Sequence, residues 1–170
     1  MKKFLLAIVL IVSLCFFSLT GNATDQIEDT VPTDTVAPDL CGGSTSAILV
    51  ETSSNKVLFD KEKDRRLPPA SMTKIMTLLL IYEALEAKQI TKDTMLTITE
   101  EPTKVEGSKA FLSVGDEINV AELLKCICIA SANDAAIAMA MHLAGSEEQF
   151  VQKMNDKVAA LGLKNTHFSD

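Results

Sequence analysis

The chain has 170 residues, with 16 Lys and Arg against 23 Asp and Glu, a net charge of −7 and no tryptophan. That acidic balance argues against nucleic acid as a partner. The scarcity of aromatics removes the usual material for stacking on bases or flat sugar faces. A chain of this length is one ordinary domain or a piece of one.

Met1, Lys2 and Lys3 are followed by an uncharged apolar run over residues 4–17, then by the small pair Gly21 and Ala23. The order predicts a secretory signal peptide over 1–23, cut after Ala23. The apolar run is shorter than the roughly 20 residues that span a bilayer. Cys15 does not indicate a lipoprotein, because Leu14 precedes it where a small residue is wanted. Removing 1–23 takes two lysines and no acids, leaving 14 basic residues against 23 acidic and a net charge of −9. Residues 24–43, rich in Thr, Asp, Pro and Gly, read as a flexible leader.

Order is expected from about Ser46. Residues 47–51 and 56–60 flank the polar tip Ser53-Ser54-Asn55 and predict a β-hairpin. Pro68-Pro69 forbids helix up to that point, and a helix is expected from Ser71 to near Lys88. Its first half is apolar nearly all round, which predicts burial. Residues 95–99 alternate as a half-exposed strand, and 100–115 read as a loop-rich excursion. Residues 120–130 form an apolar helix that breaks at Ser131-Ala132-Asn133-Asp134. Helix resumes over 135–144 and stops at Gly145. Ser146-Glu147-Glu148-Gln149 has the form of a capping box and opens a helix that presents Phe150, Val151, Met154, Val158 and Leu161 on one face. Cys126 and Cys128, two apart on a helix, do not face each other; both read as small core residues rather than metal ligands, and no disulfide framework is legible.

Chemistry concentrates in two places. In Ser71-Met72-Thr73-Lys74 the serine and lysine, three apart, share a helix face. Ser71 becomes a nucleophile only if a group takes its proton, and Lys74 does so only as the free amine. Apolar neighbours at Ile75, Leu78 and Leu79 would lower its pKa by desolvation, and the helix start would offer N–H groups to an oxyanion. In Ser131-Ala132-Asn133 a hydroxyl and an amide share the break between two helices. Either pattern alone is weak: Ser53-Ser54-Asn55-Lys56 satisfies both forms on a solvated hairpin tip.

S-x-x-K followed by S-D-N and K-T-G is the established signature of class A β-lactamases and penicillin-binding proteins. Here Pro68-Pro69-Ala70-Ser71-Met72-Thr73-Lys74-Ile75-Met76-Thr77 closely resembles the nucleophile segment of the low-molecular-mass penicillin-binding D-alanyl-D-alanine carboxypeptidases. Ser131-Ala132-Asn133-Asp134-Ala135-Ala136 resembles their second motif, and Leu161-Gly162-Leu163-Lys164-Asn165-Thr166-His167-Phe168 resembles the segment before a D/N-P-x-G turn. The likeness runs from about Ser46 to Asp170.

The resemblance implies an α+β fold of the β-lactamase/transpeptidase type, an antiparallel sheet with a helical cluster, with 44–170 as the N-terminal portion of the catalytic domain. It implies Ser71 as nucleophile, Lys74 as proton acceptor, Ser131 as relay to the leaving amine and Asn133 as the holder of the substrate amide. It implies a peptidoglycan stem peptide as substrate, β-lactam antibiotics as acylating ligands, and no metal or cofactor. It places the protein outside the cytoplasm, at the cell wall or the outer face of the cytoplasmic membrane, with membrane association through a C-terminal anchor beyond Asp170. No K-T-G occurs in the chain, so it reads as truncated before the later strands, and residues 24–170 alone are expected to be silent. Two alternatives stand beside this reading. A β-lactamase would need a deacylating glutamate where this chain has residues 165–168, and a non-catalytic wall-peptide module would form no serine adduct. His142 and His167 have no G-x-S-x-G elbow to serve and read as structural or solvent-facing.

Overall fold

The computed structural model describes residues 40–169. The expected signal peptide and most of the leader lie outside the described residues. The chain divides into two compact units, residues 1–61 and 62–170.

In the first unit, β1 (Ala47–Glu51) and β2 (Lys56–Lys61) form the expected antiparallel hairpin, with a register shift at Leu49/Val50. Asn55 at its tip takes the left-handed conformation that asparagine tolerates.

The second unit opens on a 3-10 turn (Ala70–Thr73) leading into α1 (Lys74–Glu86). Then come β3 (Met95–Thr97), α2 (Glu100–Lys104), β4 (Glu117–Asn119), α3 (Val120–Ala130), α4 (Asn133–Ala144) and α5 (Glu147–Ala160). β3 and β4 pair antiparallel with Leu96 opposite Ile118.

Helix α4 is the hub. Its buried residues are Asp134, Ala135, Ala136, Ala138, Met139 and Ala140, and alanines let neighbouring backbones come close on several sides. On one side Ala135, Ala136 and Met139 join Ile81, Leu96, Val120, Leu123 and Ile127 in the larger core. On the other, Ala140 meets Met76, Phe150, Met154 and Val158. The Asn119 side chain caps α3 by accepting from Glu122 N–H at 2.9 Å, and the Ser146 hydroxyl caps α5 by accepting from Gln149 N–H at 3.2 Å, each satisfying a donor that the helix start leaves over. Gly145 closes α4 in the left-handed region, as expected.

Several expectations are corrected. Residues 100–115 are not all loop: Glu100 and Glu101 open α2, with Pro102 tolerated in its first turn. The 131–134 break is narrower than read, since Asn133 and Asp134 already belong to α4. Helix α1 is not buried all round. It buries Met76, Thr77, Ile81 and Ala84, but Ile75 is 64 % exposed and Tyr82 52 %, because α4 and α5 pack on one side of it. Cys128 is exposed rather than in the core, having fallen off the face on which α3 buries Val120, Leu123, Leu124 and Ile127. Cys126 and Cys128 are free thiols. No helix among the described residues is long and apolar enough to cross a membrane.

Candidate active site

Pro68 and Pro69 hold the chain out of helix, and Ala70 then takes a left-handed turn, φ 49°, before the 3-10 turn sets Ser71 on the surface. Regular α-helix begins at Lys74, not at Ser71 as the pattern suggested. The difference matters for the amides at the helix start, since Met72 N–H already donates to the Pro69 carbonyl at 3.1 Å. Lys74 Nζ lies 3.5 Å from Ser71 Oγ, donating to it. That is a loose contact of the kind that tightens when substrate is bound. Lys74 is partly buried, and burial pushes its pKa below the ordinary lysine value.

Ser71 and Lys74 stand on the wall of a cleft of about 710 Å³. Thr77 continues that wall one turn along α1, Val105 and Glu106 contribute a loop edge, Asn133 and Ala136 come from α4, and Phe150 and Met154 from α5. Asn133 is placed by its neighbours: its backbone N–H donates to the Ser108 carbonyl at 2.8 Å and its Nδ2 to the Glu106 carbonyl at 2.6 Å. The structure therefore brings Ser71, Lys74 and Asn133 to one cavity. Ser131 is not among the residues lining it. It ends α3 in the left-handed conformation, φ 54°, with its N–H donating to the Cys126 carbonyl.

The rival motif is engaged otherwise. The Ser53 and Ser54 hydroxyls both donate to the Glu51 carboxylate, and those hydrogen bonds lower the Glu51 pKa. His142 and His167 are exposed and border other hollows. Sequence reasoning missed the loop edge at Val105 and Glu106, because its place is set by contacts with α4 almost thirty residues on. Phe150 and Met154 were legible as the buried face of α5, though not as cleft lining. Among the described residues no cluster of three or more His, Cys, Asp or Glu is arranged to hold a metal ion.

The family model described as D-alanyl-D-alanine carboxypeptidase matches residues 33–170. The chain belongs to this family. It is 49% identical over 132 residues to the D-alanyl-D-alanine carboxypeptidase DacF of Bacillus subtilis, an alignment covering 78% of this chain and 34% of that protein. Among solved structures it is similar to D-alanyl-D-alanine carboxypeptidase DacD from Francisella tularensis, with a TM-score of 0.73 at 31% identity over 75% of this chain and 31% of that one. Penicillin binding protein 5 from Haemophilus influenzae gives 0.71 at 35%, over 74% and 38%. The α+β fold implied by the motifs is thus the fold of the D-alanyl-D-alanine carboxypeptidases. The chain spans about a third of the length of the curated relatives it matches.

Proposed function

We propose that this chain carries the nucleophile and amide-holding part of a serine-type D-Ala-D-Ala carboxypeptidase. Ser71 Oγ attacks the carbonyl of the penultimate D-alanine in a peptidoglycan stem peptide while Lys74, as free amine, takes the hydroxyl proton. The tetrahedral intermediate collapses, terminal D-alanine leaves with a proton relayed by Ser131, and the Ser71 ester is then hydrolysed by water. Asn133 holds the substrate amide. A β-lactam enters by the same attack, its ring amide standing in for the scissile bond.

The observation that carries this reading is the 3.5 Å contact of Lys74 Nζ with Ser71 Oγ on the wall of the cleft that Asn133 also lines. Partial burial of Lys74 favours the neutral amine the step needs. For Ser131 the support is the motif and not the cleft, and the relay requires its hydroxyl to turn toward the leaving group. Relatives named as D-alanyl-D-alanine carboxypeptidases and as a penicillin binding protein support the substrate class and the β-lactam. They also support a site of action at the cell wall.

Labelling the protein at its natural length with a penicillin, followed by mass spectrometry of a tryptic digest, tests the assignment. The adduct is expected on the peptide that begins after Arg66 and carries Ser71. An adduct on a peptide carrying Ser53, or none at all, would overturn it.

A further inference from the structure

Asp134 is the one buried acidic residue among the described residues, 1 % exposed, and the mechanism above does not use it. Its carboxyl group is met by three backbone donors: Ala110 N–H at 2.9 Å, Leu112 N–H at 3.1 Å and Ala135 N–H at 2.9 Å. The first two flank Phe111, which is left-handed at φ 60° and 84 % exposed. A bulky residue holds that conformation only where its surroundings over-determine it, and such positions concentrate at functional sites. The grip on both sides of Phe111 supplies that constraint. Four residues before Phe111, Gly107 is left-handed at φ +85°, and a Cβ there would come within 2.9 Å of Asn133 Nδ2. Its neighbours provide the Glu106 and Ser108 carbonyls that receive Asn133 Nδ2 and N–H.

We infer that Asp134 is a positioning residue for Asn133: by holding residues 105–112 against the first turn of α4, it fixes the carbonyl that orients the Asn133 amide in the cleft. The inference rests on the acyl-transfer reading. One N–H of Nδ2 is committed to Glu106, which sets the plane of the amide, and the second N–H and Oδ1 keep a defined direction for a substrate amide. In Asp134→Asn the amide NH2 would replace one acceptor and face a backbone donor, releasing one side of the grip. Its effect should therefore reach ligands that present an amide more than ligands that address Ser71 alone.

The test compares two probes on the natural-length protein: the acylation rate constant for a fluorescent penicillin, which carries a side-chain amide, and the affinity of an amide-free phenylboronic acid, which adds to the serine hydroxyl. In Asp134→Asn the ratio of the first to the second is expected to fall about tenfold, the size of one lost hydrogen bond. Gly107→Ala, whose added Cβ would press directly on Asn133 Nδ2, is expected to lower the same ratio and decides the matter if Asp134→Asn does not fold. A parallel loss for both probes would mean that Asp134 is only structural, and no loss would mean that Asn133 needs no such support; either overturns the inference. A wild-type protein that takes up neither probe would sink the acyl-transfer reading, and this inference with it.

Discussion

The chain contains the pattern S-x-x-K twice, at Ser53–Lys56 and at Ser71–Lys74, and folding treats the two in opposite ways. At the hairpin tip the hydroxyls of Ser53 and Ser54 go to the Glu51 carboxylate, and Lys56 is exposed, in full reach of water. At the start of α1 the hydroxyl of Ser71 meets the ammonium of a lysine that is partly withdrawn from water. A serine beside a carboxylate gains a strong acceptor but no route to a nucleophile beyond solvent. A serine beside a desolvated lysine has a base that the surroundings push toward its neutral form. Four letters in common thus yield different chemistry, because the helix and its packing select the partner of the hydroxyl.

The sharpest way to break that contrast is at the lysines. Lys74→Arg keeps a cation in place but never gives up its proton at accessible pH, so acylation by penicillin is expected to slow about 10²- to 10⁴-fold, the usual worth of a general base. Lys56→Arg measured beside it should leave the rate unchanged, and a loss within a few-fold at Lys74 would mean that another group takes the proton.

A smaller effect follows from pH. Because burial lowers the Lys74 pKa from its ordinary value, the free-amine fraction, and with it the acylation rate, should climb about tenfold per pH unit on the acid side and then level off. The plateau should come earlier than for an exposed lysine. A stopped-flow pH profile that levels off no earlier than an ordinary lysine would require would show that desolvation does not tune this lysine.

The smallest expected effect is at the tip. Ser53→Ala removes one donor to Glu51 and leaves Ser54 in place, so the extent of penicillin labelling should match the wild type. The carboxyl of Glu51 should then titrate closer to the ordinary glutamate value, as seen by NMR, since the Ser53 hydrogen bond is the largest cause of its lowered pKa.

What was legible beforehand followed from local rules. The hairpin, the cap at Ser146, the stop at Gly145 and the buried face of α5 at Phe150, Met154 and Val158 are each set by residues within a few positions of one another. What was illegible depends on distant partners. The strand β4 has three residues and no alternation of its own, and it exists because β3 offers a partner, with Leu96 opposite Ile118 and the pair prolonged by Ile98 N–H donating to the Asp116 carbonyl and Gly115 N–H to the Ile98 carbonyl. The loop edge of the cleft is held by Asn133 from 27 residues away, through the bond of its Nδ2 to the Glu106 carbonyl. The exposure of Ile75 could not be read from a helix whose apolar residues surround its whole circumference, since such a pattern marks no preferred face. Ser131 shows the converse: its motif was plain, but the left-handed turn it makes at the end of α3 was not.

The Asn155 side chain performs three hydrogen bonds at once. Its Oδ1 accepts from Phe168 N–H at 3.0 Å, and its Nδ2 donates to the carbonyls of Phe168 at 2.8 Å and Val151 at 3.2 Å. Meanwhile Leu163 N–H donates to the Val158 carbonyl at 3.0 Å, so the exposed stretch between Leu163 and Phe168 is moored at both ends. A protease that nicks the chain after Lys164 would therefore produce two pieces that stay docked, one through Leu163 on the end of α5 and the other through Phe168 on its middle. Such a cut would register on a denaturing gel long before it registered in the fold.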